Sequence, residues 1–354
     1  MAGPHPDVAA ARLAVRRAVE DLPEGTLVLV ACSGGPDSLA LAAAAAFALP
    51  RAGLRAGAVV VDHRLQEGSA DVASRAAAQC TALGLDPVEV CAVEVGTAGG
   101  MEAAAREARY GALADAAARL GAGAVLLGHT LDDQAETVLL GLARGSGTRS
   151  LAGMAPVRGI LRRPLLGMRR DQILEVCAAL GLEPWHDPTN TEAHGPRRSA
   201  LRARVMPVLA DVLGPGVPEA LARTAEQLRE DAETLEPLAV QLLEAARRSG
   251  GGRGSGADDG EPEGASRYAS AVGQEAGYDV VTLAAAPTAI RRRALRLVAL
   301  ASGAGAGAVS REHVLAVDAL VGDWRGQGHV ALPDGARCWR ERGMLIVSGP
   351  AVGP

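Results

Sequence analysis

Two short stretches of the chain carry residue types at spacings that could do chemistry. The first, Ser33-Gly34-Gly35-Pro36-Asp37-Ser38, lies between the apolar runs Leu27 to Cys32 and Leu39 to Leu49. A glycine-rich turn from strand to helix offers an anion free backbone amides and the positive end of the helix dipole, and Pro36 suits the first helical turn. Ser33 and Ser38 add hydroxyl donors, so the stretch reads as a phosphate-binding loop. Asp37 alone would repel phosphate, which assigns it to holding Mg2+. The second stretch is Gly128-His129-Thr130-Leu131-Asp132-Asp133-Gln134-Ala135-Glu136-Thr137. A helix starting near Asp132 puts Asp133 and Glu136 on one face, beside the strand-end His129. Such a pair could bind an ammonium group, whose loss of a proton makes it a nucleophile. It could also be a solvated acidic helix start that complements the dipole.

A third, weaker candidate is Val59-Val60-Val61-Asp62-His63-Arg64-Leu65. Asp62 there is either a turn cap or a nucleotide contact.

Composition removes several chemistries. All 36 basic residues of the 354 are arginine, so a Walker-type phosphate-loop lysine, a Schiff base and a lysyl-adenylate are excluded. Phosphate must be met by backbone amides, Arg and metal. The cysteines (Cys32, Cys80, Cys91, Cys177, Cys338) are far apart and form no Cys-x-x-Cys pair, which suggests neither a zinc site nor a disulfide framework. The first residues do not read as a secretory signal, and the Leu39 to Leu49 run is well short of the roughly 20 residues a membrane span needs. A soluble, cytoplasmic protein without a membrane partner is expected. A net charge of -5 gives no global pull on nucleic acid, so RNA contact must come from local Arg clusters.

The elements that must position these residues follow from periodicity. Strand-like runs at Leu27 to Cys32, Ala58 to Asp62, Val88 to Val93 and Ala124 to Gly128 alternate with helical stretches, which predicts an α/β fold, a parallel sheet with helices on both faces. Ligands of such sheets bind at the carboxyl ends of the strands, where the first strand delivers Ser33 and the fourth His129. This catalytic domain is expected over 1-214, with a helical connector over 215-248. The Gly, Ser, Asp and Glu stretch over 249-277 reads as a flexible linker. A small α+β domain over 278-354 follows, with a strand at Asp279 to Leu283, helices at Pro287 to Leu300 and Arg311 to Leu320, and a strand pair ending at Val347.

Ser-Gly-Gly-x-Asp-Ser after a first strand resembles the pyrophosphate loop of the PP-loop ATPases. The second stretch, continuing to Arg144-Gly145-Ser146-Gly147, is similar to the His-x-x-Asp-Asp-Gln-x-Glu-Thr…Arg-Gly-Ser-Gly signature of tRNA(Ile)-lysidine synthetases. Further matches are Glu102 with Arg106-Glu107-Ala108-Arg109-Tyr110, Arg163-Pro164-Leu165-Leu166, Trp185-His186-Asp187-Pro188-Thr189-Asn190, and Arg198-Ser199-Ala200-Leu201-Arg202 running on to Leu209. Gln66, Thr130, Ser150 and Ser199 depart from the family pattern.

The resemblance implies a fold of PP-loop type and a ligase that uses ATP and Mg2+ on an isoleucine tRNA with a CAU anticodon. Its wobble cytidine would be adenylated on the base carbonyl, and free L-lysine would then displace AMP. Carried onto this chain, Ser33, Gly34, Gly35, Pro36, Asp37 and Ser38 bind ATP with Asp62 beside them. Asp133 and Glu136 receive lysine next to His129, and Arg198 and Arg202 steady phosphate charge or grip RNA. For those two arginines a plain basic helix face is the other reading. The last domain is implied to touch tRNA. A PP-loop thiolase, which needs a sulfur-carrying cysteine, and an ammonia-dependent amide synthetase are the alternatives.

Overall fold

The described residues of the computed structural model are 3–64, 68–93, 96, 101–145, 147–185, 197–250, 276–305 and 308–349. Leu65, Gln66, Ser146, the stretch His186 to Asn190 and residues 251–275 of the expected linker lie outside them. The chain divides into two compact units, Met1–Arg229 and Glu230–Pro354.

The first unit runs α1 (Pro6–Ala18), β1 (Leu27–Ala31), α2 (Pro36–Arg51), β2 (Arg55–Asp62), α3 (Ser69–Ala82), β3 (Val88–Ala92), α4 (Met101–Leu120), β4 (Ala122–Leu126) and α5 (Leu131–Ala143). It continues with α6 (Thr148–Leu151), β5 (Val157–Arg158), β6 (Leu161–Arg162), α7 (Arg170–Ala179), α8 (Arg197–Ala200), a π-helical turn at Leu201–Val205, and α9 (Met206–Leu213). The strand order is β3-β2-β1-β4-β6-β5, parallel except for the final β6–β5 pairing. The four expected strands are its first four. β5 and β6, two residues each, are too short to carry a periodic signal, and they make the sheet mixed.

Strand alternation sorts the core into two layers. Val28, Val30, Ala58, Val60, Ala124 and Leu126 pack with α1, α2, α3 and α7 on one face, while Leu27, Leu29, Val59, Val125 and Leu127 pack with Leu113, Ala116 and Ala117 of α4 on the other. A sheet buried on both faces reads as continuous apolar strands, which is why β1 and β2 stand out in the sequence.

Two close approaches set the sheet's carboxyl edge. Gly34 has φ 80, and a Cβ there would lie 3.2 Å from the Ala76 Cβ. A Cβ on Gly128 would lie 3.0 Å from the carbonyl carbon and oxygen of Asp37, so the exit of β4 abuts the start of α2 and brings both chemical stretches together.

The helix α10 (Val217–Gly250) carries residues of both units. The second unit continues with β7 (Ala276–Asp279), α11 (Val280–Ala285), α12 (Thr288–Ala301), α13 (Arg311–Gly322), β8 (Val330–Ala331), β9 (Arg337–Glu341) and β10 (Met344–Ser348). Its antiparallel sheet has the order β7-β10-β9-β8. Ala239, Leu243 and Ala246 of α10 share its core with Leu283, Leu295, Val317 and Leu345. The strand expected over Asp279 to Leu283 is corrected here: the strand ends at Asp279, whose carboxylate accepts from Thr282 N at 2.7 Å and caps α11. A side-chain cap overrides the β propensity of Val280-Val281-Thr282. Arg342 and Gly343, at φ 48 and 80, form the tight turn joining β9 to β10. Among the described residues no single helix is long and apolar enough to cross a membrane.

Candidate active site

The loop 33–38 is closed on itself by one hydroxyl. Ser38 Oγ accepts from Ser33 N at 3.1 Å, donates to Gly35 O at 3.0 Å and lies 3.2 Å from Ser33 Oγ. Its proton therefore shapes the turn, and Ser33 Oγ and the amides at the start of α2 remain to meet an anion. Trp185 N donates to Gly34 O at 2.9 Å, pinning the chain after α7 to the loop. Cys32 is buried in the core beneath it.

Asp37, at the first turn of α2, has a buried Oδ1 with no partner. Burial pushes its carboxyl up to about 6, against the pull of the Arg170 guanidinium. A buried carboxylate oxygen without a donor is an unsatisfied acceptor, and a cation fits it.

The second stretch begins α5, and Thr130 is its cap. Fully buried, Thr130 receives the Asp133 amide on its hydroxyl at 3.4 Å, while Thr130 N and Oγ1 donate to Asp133 Oδ2 at 2.9 and 3.1 Å. The departure from the family pattern at this position thus builds a capping box that fixes the Asp133 carboxylate. Asp132 turns the other way, accepting from Arg170 N at 2.8 Å and Arg169 Nε at 3.2 Å, and Leu131 N donates to Met168 O at 2.9 Å. Together they staple the start of α5 to the start of α7.

That staple delivers Arg170, a residue that sequence reasoning missed. Its Nη2 lies 3.0 Å from Asp133 Oδ1, its Nη1 3.5 Å from Glu136 Oε1 and its Nε 3.9 Å from Asp37 Oδ2. Arg202, from the π-helical turn, adds Nε to Glu136 Oε1 at 2.8 Å and Nη2 to Glu136 Oε2 at 3.1 Å. Arg198, on α8, donates to Thr137 Oγ1 at 2.8 Å and stands 3.9 Å from Glu136 Oε2. Glu136 is 1% exposed, so the pair is two buried carboxylates neutralised by guanidinium groups. Burial would raise the Asp133 carboxyl, but Arg170, the Thr130 amide and further cations outweigh it and hold it below the usual range. Arg170 lies 34 and 37 residues from Glu136 and Asp133 and much farther along the chain from Asp37, and the only sequence signal for it is its place just after Arg163-Pro164-Leu165-Leu166.

His129 sits at the exit of β4 with a buried, unpartnered Nδ1. Burial pulls it down to about 3; Asp133 opposes this, while Arg109, Arg163 and Arg106 reinforce it, leaving a neutral imidazole at working pH. Asp62, at the end of β2, is 7% exposed and caps its turn by accepting from Arg64 N at 3.0 Å. The structure therefore gathers Ser33, Asp37, Asp133, Glu136, Arg198 and Arg202 at one sheet edge, while the side chain of Asp62 serves its own turn. Among the described residues no three His, Cys, Asp or Glu side chains cluster as a metal site.

Comparison with known proteins identifies the family. A PP-loop domain matches residues 10–209 and a TilS substrate binding domain matches residues 279–346. The tRNA(Ile)-lysidine synthase of Thermobifida fusca is 54% identical over 348 residues, spanning 98% of this chain and 99% of its own. That of Streptomyces coelicolor is 47% identical over 374 residues, spanning 98% and 99%. The U34-tRNA thiolase NcsA of Methanococcus maripaludis is similar in structure, with a TM-score of 0.53 at 19% identity over 63% of this chain and 80% of that one. Likeness at that level is one of fold.

Proposed function

The chain belongs to the tRNA(Ile)-lysidine synthase family of carbon–nitrogen ligases, and from that premise we propose how its own residues divide the work. The substrates are ATP, free L-lysine and an isoleucine tRNA with a CAU anticodon, and the reaction takes place in the cytoplasm. The wobble cytidine's base carbonyl oxygen attacks the α-phosphate of ATP and pyrophosphate leaves. The ε-amine of lysine then attacks the activated ring carbon, and AMP departs to give lysidine.

Ser33, Gly34, Gly35 and the α2 amides cradle the pyrophosphate, with Pro36 presetting the helix start and Ser38 holding the loop shut. Asp62 flanks the nucleotide from the end of β2. Asp37, with its unpartnered Oδ1, would hold Mg2+, which would supply positive charge to the leaving pyrophosphate. Asp133 and Glu136 receive the lysine ammonium in place of a guanidinium. Asp133, held below the usual carboxylate range, stays as a charge, which leaves Glu136 to take the proton. Arg198 and Arg202 balance charge as phosphate develops it. The second unit carries the remaining tRNA contacts.

One observation carries this division: a single guanidinium, Arg170, reaches Asp37, Asp133 and Glu136. The cation-binding pair thus adjoins the phosphate loop, as amine attack on an adenylated base requires. Incubation with labelled lysine, ATP and the CAU isoleucine tRNA is the direct test. Label should enter the tRNA only with ATP and an intact Asp133; absence of transfer by the unaltered protein sinks the reading.

A further inference from the structure

Four arginines of the site, at 169, 170, 198 and 202, are paired with carboxylates. Three others at the same sheet edge are not. Arg106 and Arg109 lie one turn apart on α4, and Arg163 directly follows β6. None of the three enters an ion pair among the described residues. Arg163 is 6% exposed; its Nη1 donates to Ala155 O at 2.7 Å and its Nε is buried without a partner. Arg106 Nη2 lies 3.1 Å from the Tyr110 hydroxyl, and the Arg106 and Arg109 guanidinium groups lie 5.0 and 5.3 Å from the Tyr110 ring centroid. Arg109 Nε is also buried and unpartnered.

The charges of these groups act on the two strand-end histidines. His63 and His129 each present a buried Nδ1 with no partner, and after burial the charges that hold them neutral include Arg109 at both and Arg163 and Arg106 at His129. Asp62 and Asp133 act on the histidines but pair with none of the three arginines. Gathering three cations, one of them on the 6%-exposed residue Arg163, without an anion is costly unless a ligand supplies one. The open donors are planar forks, the geometry that phosphate accepts two bonds from.

We propose that Arg106, Arg109 and Arg163 form a phosphodiester basin that seats the RNA backbone beside the base being modified. It is separate from the loop 33–38, whose amides, helix dipole and Asp37 already serve the ATP pyrophosphate. Tyr110 holds two of the forks in place through its hydroxyl and ring, and the neutral imidazoles add hydrogen-bonding edges without adding charge. The basin rests on the reading that the substrate is RNA, and it accounts for the Arg106 to Tyr110 and Arg163 motifs, which the ATP and lysine sites leave unused.

The test is equilibrium binding of the CAU isoleucine tRNA, and separately of a non-hydrolysable ATP analogue, to the full chain and to Arg106→Gln, Arg109→Gln and Arg163→Gln. Each Gln variant should weaken tRNA binding about tenfold at physiological salt and flatten the log affinity against log salt slope by about 0.7 per lost single-strand phosphate contact. ATP affinity should stay within twofold. Arg109→Lys should recover part of the tRNA affinity, because charge returns without the fork. Arg106 is exposed, so its variant reads the basin even where replacing buried Arg163 lowers the melting point. Unchanged tRNA affinity and slope overturn the basin. Tenfold weaker ATP binding with tRNA unaffected also overturns it and assigns the anion to the nucleotide. If the unaltered chain fails to bind this tRNA, the functional reading falls, and the same slopes measured with a generic single-stranded RNA still decide the basin.

Discussion

Arg170 places one guanidinium between the two halves of the site, with Nη2 3.0 Å from Asp133 Oδ1 and Nε 3.9 Å from Asp37 Oδ2. Three carboxylates this close repel one another, and Arg170 is the cation common to all three. Replacing it with methionine keeps the stem and removes the charge. Truncating one partner of a buried, hydrogen-bonded charge pair costs about 2 kcal/mol or more, so kcat/KM for lysine transfer should fall at least about 30-fold. Steady-state kinetics with ATP and lysine varied in turn should show both substrates affected. A loss confined to one would mean that Arg170 serves a single half.

Glu136→Gln separates the two chemical steps. The amide keeps the shape of a side chain that is 1% exposed, but it cannot hold an ammonium or take its proton. Lysine transfer should drop by roughly a hundredfold or more, in the range general-base loss produces, while tRNA-dependent pyrophosphate release without lysine continues at close to the normal rate. Equal loss of both steps, in a variant with an unchanged melting point, would count against the assignment.

The sequence carries the sheet, the loop and the acidic pair because each is local. β1 and β2 are continuous apolar runs, Gly34 and Pro36 announce a strand-to-helix turn, and Asp133 and Glu136 are three residues apart on one helix. The partners of these groups are not local. Arg170 reaches Asp37 across more than a hundred residues of chain, through the stapling of α5 to α7 by Asp132 and Leu131, and no spacing encodes that. The resemblance supplied Arg202 and Arg198 as candidates, but the pairing of Arg202 with Glu136 depends on a π-helical turn that has no compositional signature. In the second unit the β-branched run after Asp279 misleads because a single cap residue decides between strand and helix.

Thr130 positions Asp133, and its removal has a stability cost that can be read apart from activity. Thr130→Ala deletes the capping hydroxyl at a fully buried position, which should cost about 1 kcal/mol in chemical denaturation. It also frees the Asp133 carboxylate from one of its donors, so KM for lysine should rise more than KM for ATP. Thr130→Ser, which restores the hydroxyl, should recover most of both effects. If serine does no better than alanine, the methyl group and its packing matter instead of the cap.

Asp318 gives the second unit a pH dependence of definite sign. Burial would raise its carboxyl, but ion pairs to Arg291 Nε at 2.7 Å and Arg292 Nε at 2.8 Å outweigh this and hold it below the usual range. A carboxyl depressed in the folded state contributes stability above its unfolded value of about 3.9 and loses it as pH falls through the folded value. Hydrogen-exchange protection factors of second-unit amides in the intact chain, corrected for the intrinsic pH dependence of exchange, should therefore be steady between about pH 5 and 8 and fall below about pH 4. Asp318→Asn leaves the mostly buried Arg291 uncompensated, which should cost about 3 kcal/mol at pH 7 and remove most of the acid-dependent part. An unchanged acid profile in that variant would place the titration elsewhere.

Gly128 tests whether the meeting of the two stretches is what makes the site. A Cβ there would stand 3.0 Å from the Asp37 carbonyl carbon and oxygen and 3.1 Å from Ser38 N, and these are backbone atoms that cannot rotate aside. Gly128→Ala must push the exit of β4 and the first turn of α2 apart by a few tenths of an ångström or more. The Asp37 carboxylate and the loop amides would then lose their alignment with Asp133 and Glu136. Since misplacement of reacting groups on that scale is expensive in rate, lysine transfer should fall roughly a hundredfold, with ATP affinity weakened by a smaller factor. Overpacking of this kind costs about 1–3 kcal/mol in stability, so the melting point should drop without loss of the fold. A variant with normal transfer would show that the Gly128 contact is incidental and that Arg170 alone joins the two halves.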